Sequence, residues 1–154
     1  MPLSIQDQVA RAFQKTPKPG SDELTRSRGD EELEDTAQFR DLDWNSIEHD
    51  VIEKHYYALF WFTEQAFHYY LPAFLLAAIE TPRSTFVITL VLLLKPNKDK
   101  TKEVFRRERW SMLNATQVEA LETWLARLHE LAPADGKGEL EDALRVVRSR
   151  YWWQ

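Results

Sequence analysis

The chain has 154 residues, a length that suits one domain with a sizeable core and leaves a second one cramped. It contains no cysteine, which excludes disulfide scaffolds, thiolate zinc sites, iron–sulfur clusters and cysteine nucleophiles. Hydrophobic residues make up 44% and charged residues 29%, a globular balance, and the net charge of −5 argues against general nucleic-acid binding.

The first predicted helix runs from Ile5 to about Gln14. Ser4 and Asp7 form its capping signal, and Ile5, Val9, Ala12 and Phe13 share one face. Thr16-Pro17-Lys18-Pro19-Gly20 ends it. Residues 21–43 are polar, with Leu24, Leu33, Phe39 and Leu42 as sparse anchors. They fit either a short helix over Glu31–Phe39 capped by Asp30 or a long ordered loop. The stretch 15–43 therefore reads as acidic and loop-rich, and its order in the absence of a partner is left open. From Asp22 to Asp50, 11 acidic residues face 3 arginines, a local −8.

Asp43-Trp44-Asn45-Ser46 reads as the start of a helix carrying Ile47, Val51, Ile52 and His55. Nine aromatics then fall between Tyr56 and Phe74. Thr63 is a predicted N-cap, and Phe67, Tyr70, Leu71, Phe74, Leu75 and Ala78 recur at helical spacing. We expect a continuous helix, kinked at Pro72, ending near Glu80. Tyr57, Trp61 and Tyr69 fall off its apolar face and are expected nearer the surface.

Segment 84–94 fits a strand by its β-branched residues and a helix by its context. Helix is preferred, because no partner strand is evident to pair a lone strand's backbone. Apolar nearly all round, it should be buried. Lys95–Lys102 reads as a charged loop. The sharpest signal follows: Asn114 as N-cap, Gln117 closing a capping box, and Leu113 stapled onto Val118. Leu121, Leu125 and Leu128 continue that face, with Trp124 on its flank. After a loop over Ala132–Gly138, a last helix of about Glu139–Tyr151 buries Leu140, Ala143, Leu144, Val147 and Tyr151. The fold expected is one mainly α domain of about five to seven helices, with 84–94 open to a strand reading.

Candidate chemistry is sparse. His49–Glu53 and Glu64–His68 have the i, i+4 spacing of helical metal ligands, but neither has a third ligand, so no metal and no cofactor are expected. Phosphate loops and nucleophile elbows are missing from the sequence. Two groupings remain. The acidic residues Asp30, Glu31, Glu32, Glu34, Asp35, Asp41 and Asp43 are candidates for contacting a partner, and His68, Tyr69, Tyr70 and Arg109 are candidates for a pocket. Arg106, Arg107 and Arg109 are expected to pair with the acidic 22–50 stretch.

Trp44 and the block Ala66-Phe67-His68-Tyr69-Tyr70-Leu71-Pro72-Ala73-Phe74 carry a resemblance. Together with Arg109 and the Ala115-Thr116-Gln117 cap, they resemble an uncharacterised family of small bacterial proteins with an A-F-x-Y-Y-L-P-A-F block. Asn114 departs from the Ser or Thr expected at that cap. The resemblance implies a bacterial cytoplasmic setting and a compact α-rich fold, and it transfers no catalytic residue.

The N-terminal stretch lacks a cationic segment followed by an apolar one, and no apolar run approaches the ~20 residues of a membrane span, so a cytoplasmic protein is expected. Small size, an acidic stretch and no catalytic motif favour a non-enzymatic protein-binding domain. Its most concrete form is an immunity protein covering a basic secreted toxin. The alternatives are a homodimer formed through Trp152 and Trp153, and an enzyme with a site near Tyr70 and Arg109. No nucleic acid or membrane is expected as a partner.

Overall fold

The computed structural model describes residues 3–154. Nine α-helices and three short 3-10 turns account for the regular structure of the described residues, and Thr25–Phe62 is an isolated antiparallel bridge. The helices are α1 (Ile5–Phe13), α2 (Asp30–Ala37), α3 (His49–Lys54), α4 (Ala58–Trp61), α5 (Glu64–Glu80), α6 (Thr85–Leu92), α7 (Lys100–Trp110), α8 (Ala115–Leu131) and α9 (Lys137–Arg148). The count exceeds the expectation because α4 has only four residues, too few to show a period in sequence, and α7 carries few large apolar residues among its charges.

Helix α5 is the axis of the molecule. Thr63 accepts a hydrogen bond from Ala66 N at 3.2 Å, and the helix runs unbroken through Pro72. Most of its side chains are buried, because α1, α3, α7 and α8 pack around it. Phe39 locks the preceding loop onto this axis, its ring 5.2 Å from Phe62, 5.4 Å from Tyr70 and 5.7 Å from Phe74. Helix α8 carries the predicted capping box, with Gln117 N donating to Asn114 Oδ1 at 2.9 Å and Asn114 N to Gln117 Oε1 at 3.0 Å. Leu113 and Val118 are both buried beside it.

Indole groups tie helix ends together. Trp110 Nε1 donates to Leu93 O and Trp152 Nε1 to Leu94 O, both at 2.8 Å, which caps the end of α6. Trp124 is fully buried rather than flanking, and its Nε1 donates to Leu75 O at 2.7 Å. The terminal aromatics are used internally: Trp152 is buried and Trp153 Nε1 donates to Trp110 O at 2.7 Å. Trp152 therefore offers no face to a second copy.

Several expectations need correction. The cap of α2 is Gly29, and Asp30 is its first residue, so Asp30 acts on the helix dipole and not as a side-chain cap. Trp44–Ser46 is a 3-10 turn that stops at Ile47, whose ψ of 124° is extended, and α3 begins afresh at His49. Segment 84–94 is helical over Thr85–Leu92, but it is not buried all round. Phe86, Val87, Leu90 and Val91 face the core, while Ile88 and Leu92 are 57% and 40% exposed. The charged loop after Lys95 ends at Asp99, whose carboxylate accepts from Thr101 N and Lys102 N and opens α7. Helix α9 begins at Lys137, two residues early, and ends before Tyr151. Arg150 stands at φ 60°, so Tyr151 sits in a separate turn.

Candidate functional site

A groove of about 930 Å³ lies between α1, the 43–52 segment and α5. Its floor exists because small residues meet there. Ala10 of α1 faces Ala73 and Ala77 of α5, and Ile47, Ile52 and Leu76 complete an apolar bed. From α1 it takes Gln6, Asp7, Ala10, Arg11 and Gln14, the flank of a helix whose Val9 and Phe13 are anchored in the core. Trp44 and Tyr69 close one end. Trp44 N donates to Tyr69 Oη at 3.3 Å, and the Tyr69 hydroxyl lies 3.4 Å from Asp43 Oδ1. Tyr69 is only 7% exposed, less than its place off the apolar stripe suggests, and its burial pushes the phenol up from its usual range.

The rim is mostly acidic. Asp7, Asp43 and Glu80 line it against one cation, Arg11. Lys18 Nζ lies 3.1 Å from Asp43 Oδ1 and also donates to Asp41 O at 3.0 Å, so it pins the 41–43 turn, where Asp41 takes φ 63°. At the far end His49 stands among polar groups. Its Nε2 is 3.2 Å from Glu53 Oε1 and 3.1 Å from Thr81 Oγ1, and its Nδ1 is 3.4 Å from Glu80 Oε2. Donation from Ser84 Oγ to Glu53, with the His49 contact, holds the Glu53 carboxyl below the usual range. Among the described residues there is no cluster of three or more His, Asp or Glu side chains placed to hold a metal ion.

Of the seven predicted acidic residues only Asp43 lines this groove. Asp30, Glu31 and Glu34 of α2 are exposed, as are Asp41 and Asp43; Glu32 and Asp35 are partly covered. Of these seven, Asp35 pairs with His55 Nδ1 at 3.0 Å and Asp43 with Lys18; the others form no ion pair among the described residues.

The four residues named for a pocket are not brought together. Only Tyr69 lines the groove. Tyr70 is fully buried, and its single O–H is shared between Phe39 O at 2.7 Å and Leu42 O at 2.9 Å. His68 sits between α1 and α8, 2.8 Å from Gln117 Oε1. The Gln117 amide donates to Ala12 O and Thr16 Oγ1, both at 3.1 Å. Ala12 O can only accept, which fixes the amide's orientation and places the proton on His68 Nε2. Burial lowers the His68 pKa, and the Gln117 contact partly opposes this. Gln117 thus joins α1, α5 and α8, a role its cap signal did not disclose.

Arg109 lies on another flank and is 8% exposed. Its Nη2 donates to Phe62 O at 3.0 Å, its guanidinium lies 3.7 Å from the Phe105 ring centroid, and Nη1 is 3.6 Å from Glu64 Oε1. Glu64 also receives a two-pronged bond from Arg26, at 3.2 and 2.9 Å, and this pairing holds its carboxyl at about 2. The expected pairing of Arg106, Arg107 and Arg109 with the acidic 22–50 stretch is not formed. Helix α7 packs against α5 and the C-terminal turn instead, so Arg107 lies 5.3 Å from the rings of Tyr151 and Trp152. Nor do Glu64 and His68 pair, since each is taken by another partner.

Among the described residues no helix is long and apolar enough to cross a membrane. Residues 3–154 match the model of a family of unknown function, DUF6714. No curated protein and no solved structure matches the chain.

Proposed function

From a chain that belongs to DUF6714, a family of unknown function, no activity carries over, and we propose from its own geometry that it is a non-enzymatic protein-binding domain. It receives a basic, apolar-faced segment of a partner protein in the groove between α1 and α5. The observation that supports this is the pairing of an apolar floor with an acidic rim. Ala10, Ala73, Ala77, Ile47 and Leu76 can bury apolar side chains, and Asp7, Asp43 and Glu80 can meet cations at the edge. The unpaired carboxylates of Asp30, Glu31 and Glu34 add a field that attracts a basic partner before contact. In its most concrete form the partner is a basic toxin and this chain its cytoplasmic immunity protein, in a bacterial cell.

Site-specific photo-crosslinking tests the reading. A crosslinkable residue replacing Asn45 on the groove should trap a basic partner in the source cells, and the same residue replacing Arg145 on α9 should not. Association of the trapped partner should slow on charge reversal of Glu31 and Glu34, and its salt dependence should flatten. Equal trapping at both positions, or an on-rate indifferent to charge and salt, would refute it.

A further inference from the structure

A second groove, sharing no lining residue with the first, runs along α7. It has a volume of about 480 Å³, within the roughly 300–1,000 Å³ of small-molecule sites. Its walls are aromatic. Tyr57, Phe60, Trp61 and Phe105 line it, with Phe60 and Phe105 stacked at 6.4 Å and Tyr57 and Phe60 centred 6.1 Å apart. Tyr57 is 52% exposed, and the rings it meets, Tyr56 and Phe60, are only partly buried. Lys102 and Arg106 stand on the same wall.

Two features of this groove have no internal explanation. Arg106 is half-buried and its burial lowers its pKa, yet among the described residues it pairs with no carboxylate. Its Nη1 reaches only Lys102 O at 3.3 Å, and its Nε is shielded from solvent with no acceptor. Glu103, the nearest acid in sequence, attracts Arg106 through space without an ion pair, because its oxygens are taken by Asn97 N and the Tyr151 hydroxyl. Trp61 Nε1 is likewise shielded and unpaired, whereas Trp110, Trp124, Trp152 and Trp153 each donate to a carbonyl. A shielded guanidinium N–H and a shielded indole N–H without acceptors are costly unless something supplies them.

We propose that this groove binds a small planar aromatic anion, its ring against Phe60, Trp61 and Phe105 and its anionic group held by Arg106 and Lys102. Flat walls suit a flat ring, the guanidinium recognises an oxyanion through paired N–H groups, and cation and ring reinforce each other. Carboxylate and phosphate share this chemistry.

Three probes test it against the nitrogen-15-labelled protein: indole-3-acetate, adenosine monophosphate and the neutral indole-3-ethanol. The readout is the set of side-chain indole N–H signals, one for each of the 6 tryptophans, with Trp61 assigned by Trp61→Phe. At least one anion should shift the Trp61 signal saturably and leave the signals of Trp110, Trp124 and Trp152 in place. The neutral analogue should bind about tenfold more weakly, as should either anion to Arg106→Gln. The tighter anion identifies the carboxylate or the phosphate as the group read. No saturable shift up to about 10 mM of either anion, or equal binding of indole-3-ethanol, overturns the proposal. If Arg106→Gln loses its native indole pattern, the comparison of charged and neutral probes on the unaltered protein decides alone.

Discussion

Replacing Tyr70 by Phe would remove one hydroxyl and leave the ring packed. That hydroxyl spans from α5 to the carbonyls of Phe39 and Leu42, and so clasps the 39–42 turn to the central helix. The ring stays among Phe39, Phe62 and Tyr69, so no cavity forms. A net hydrogen bond is worth ~1 kcal/mol, and a stranded buried acceptor costs ~1–3 kcal/mol more. Phe39 O is not stranded, because it keeps Leu42 N at 3.2 Å, and Leu42 lies in an exposed turn where water can serve its carbonyl. The smaller figure should therefore dominate, at ~1–2 kcal/mol, or a fall in melting temperature of about 2–8 °C for a chain of this size. Urea unfolding followed by tryptophan fluorescence measures it, with an unchanged m-value. Amide exchange over 39–43 should quicken more than exchange in α8. A loss below ~0.3 kcal/mol would refute the clasp, and one above ~4 kcal/mol would mean that the ring itself had moved.

Gln117→Ala severs the links among His68, Ala12, Thr16 and Asn114 and should cost ~2–4 kcal/mol in urea unfolding, with α1 exchanging fastest. For Glu64, whose carboxyl is lowered from 4.5 to about 2, the stabilisation is complete above pH 4.5 and fades as pH falls toward 2. Glu64→Gln should thus cost ~1–2 kcal/mol at pH 7, less than the full shift implies because Arg26 is largely exposed, and the gap from the parent should narrow near pH 2. His68, lowered from 6.5, binds its proton more readily in the unfolded chain, so stability should fall as pH drops below 6.5 and level off beneath the folded pKa. A His68→Gln chain should lack that component, and proton NMR should show the His68 ring titrating below 6.5 in the parent.

How much of this was readable in advance depended on how local its cause was. The caps Ser4, Thr63 and Asn114 lie within three residues of the amides they bind, and each acts as its sequence suggests. Helix α7 went unread because Val104, Phe105 and Trp110 are its only large apolar residues, and its lysines and arginines resemble a loop. Tyr70 and Arg109 have the side chains of an active site, yet their polar atoms serve the carbonyls of Phe39, Leu42 and Phe62. Which carbonyl lies opposite is a tertiary fact with no local signature. The groove was hidden for a related reason, since its depth comes from alanines on helices far apart in the chain.

One wall of that groove, α1, is held largely by α8. Gln117 reaches Ala12 across 105 residues of chain and Thr16 across 101, and Gln8 donates to Thr123 across 115. Contacts that close such long loops are entropically late in folding. Helix α1 is nine residues long, too short to persist alone, so it should be among the last elements to dock and the first to detach. The groove then belongs to the finished fold only. Anything bound in it would draw the slow docking of α1 toward completion, and occupancy would register as protection of backbone amides from Ile5 to Phe13.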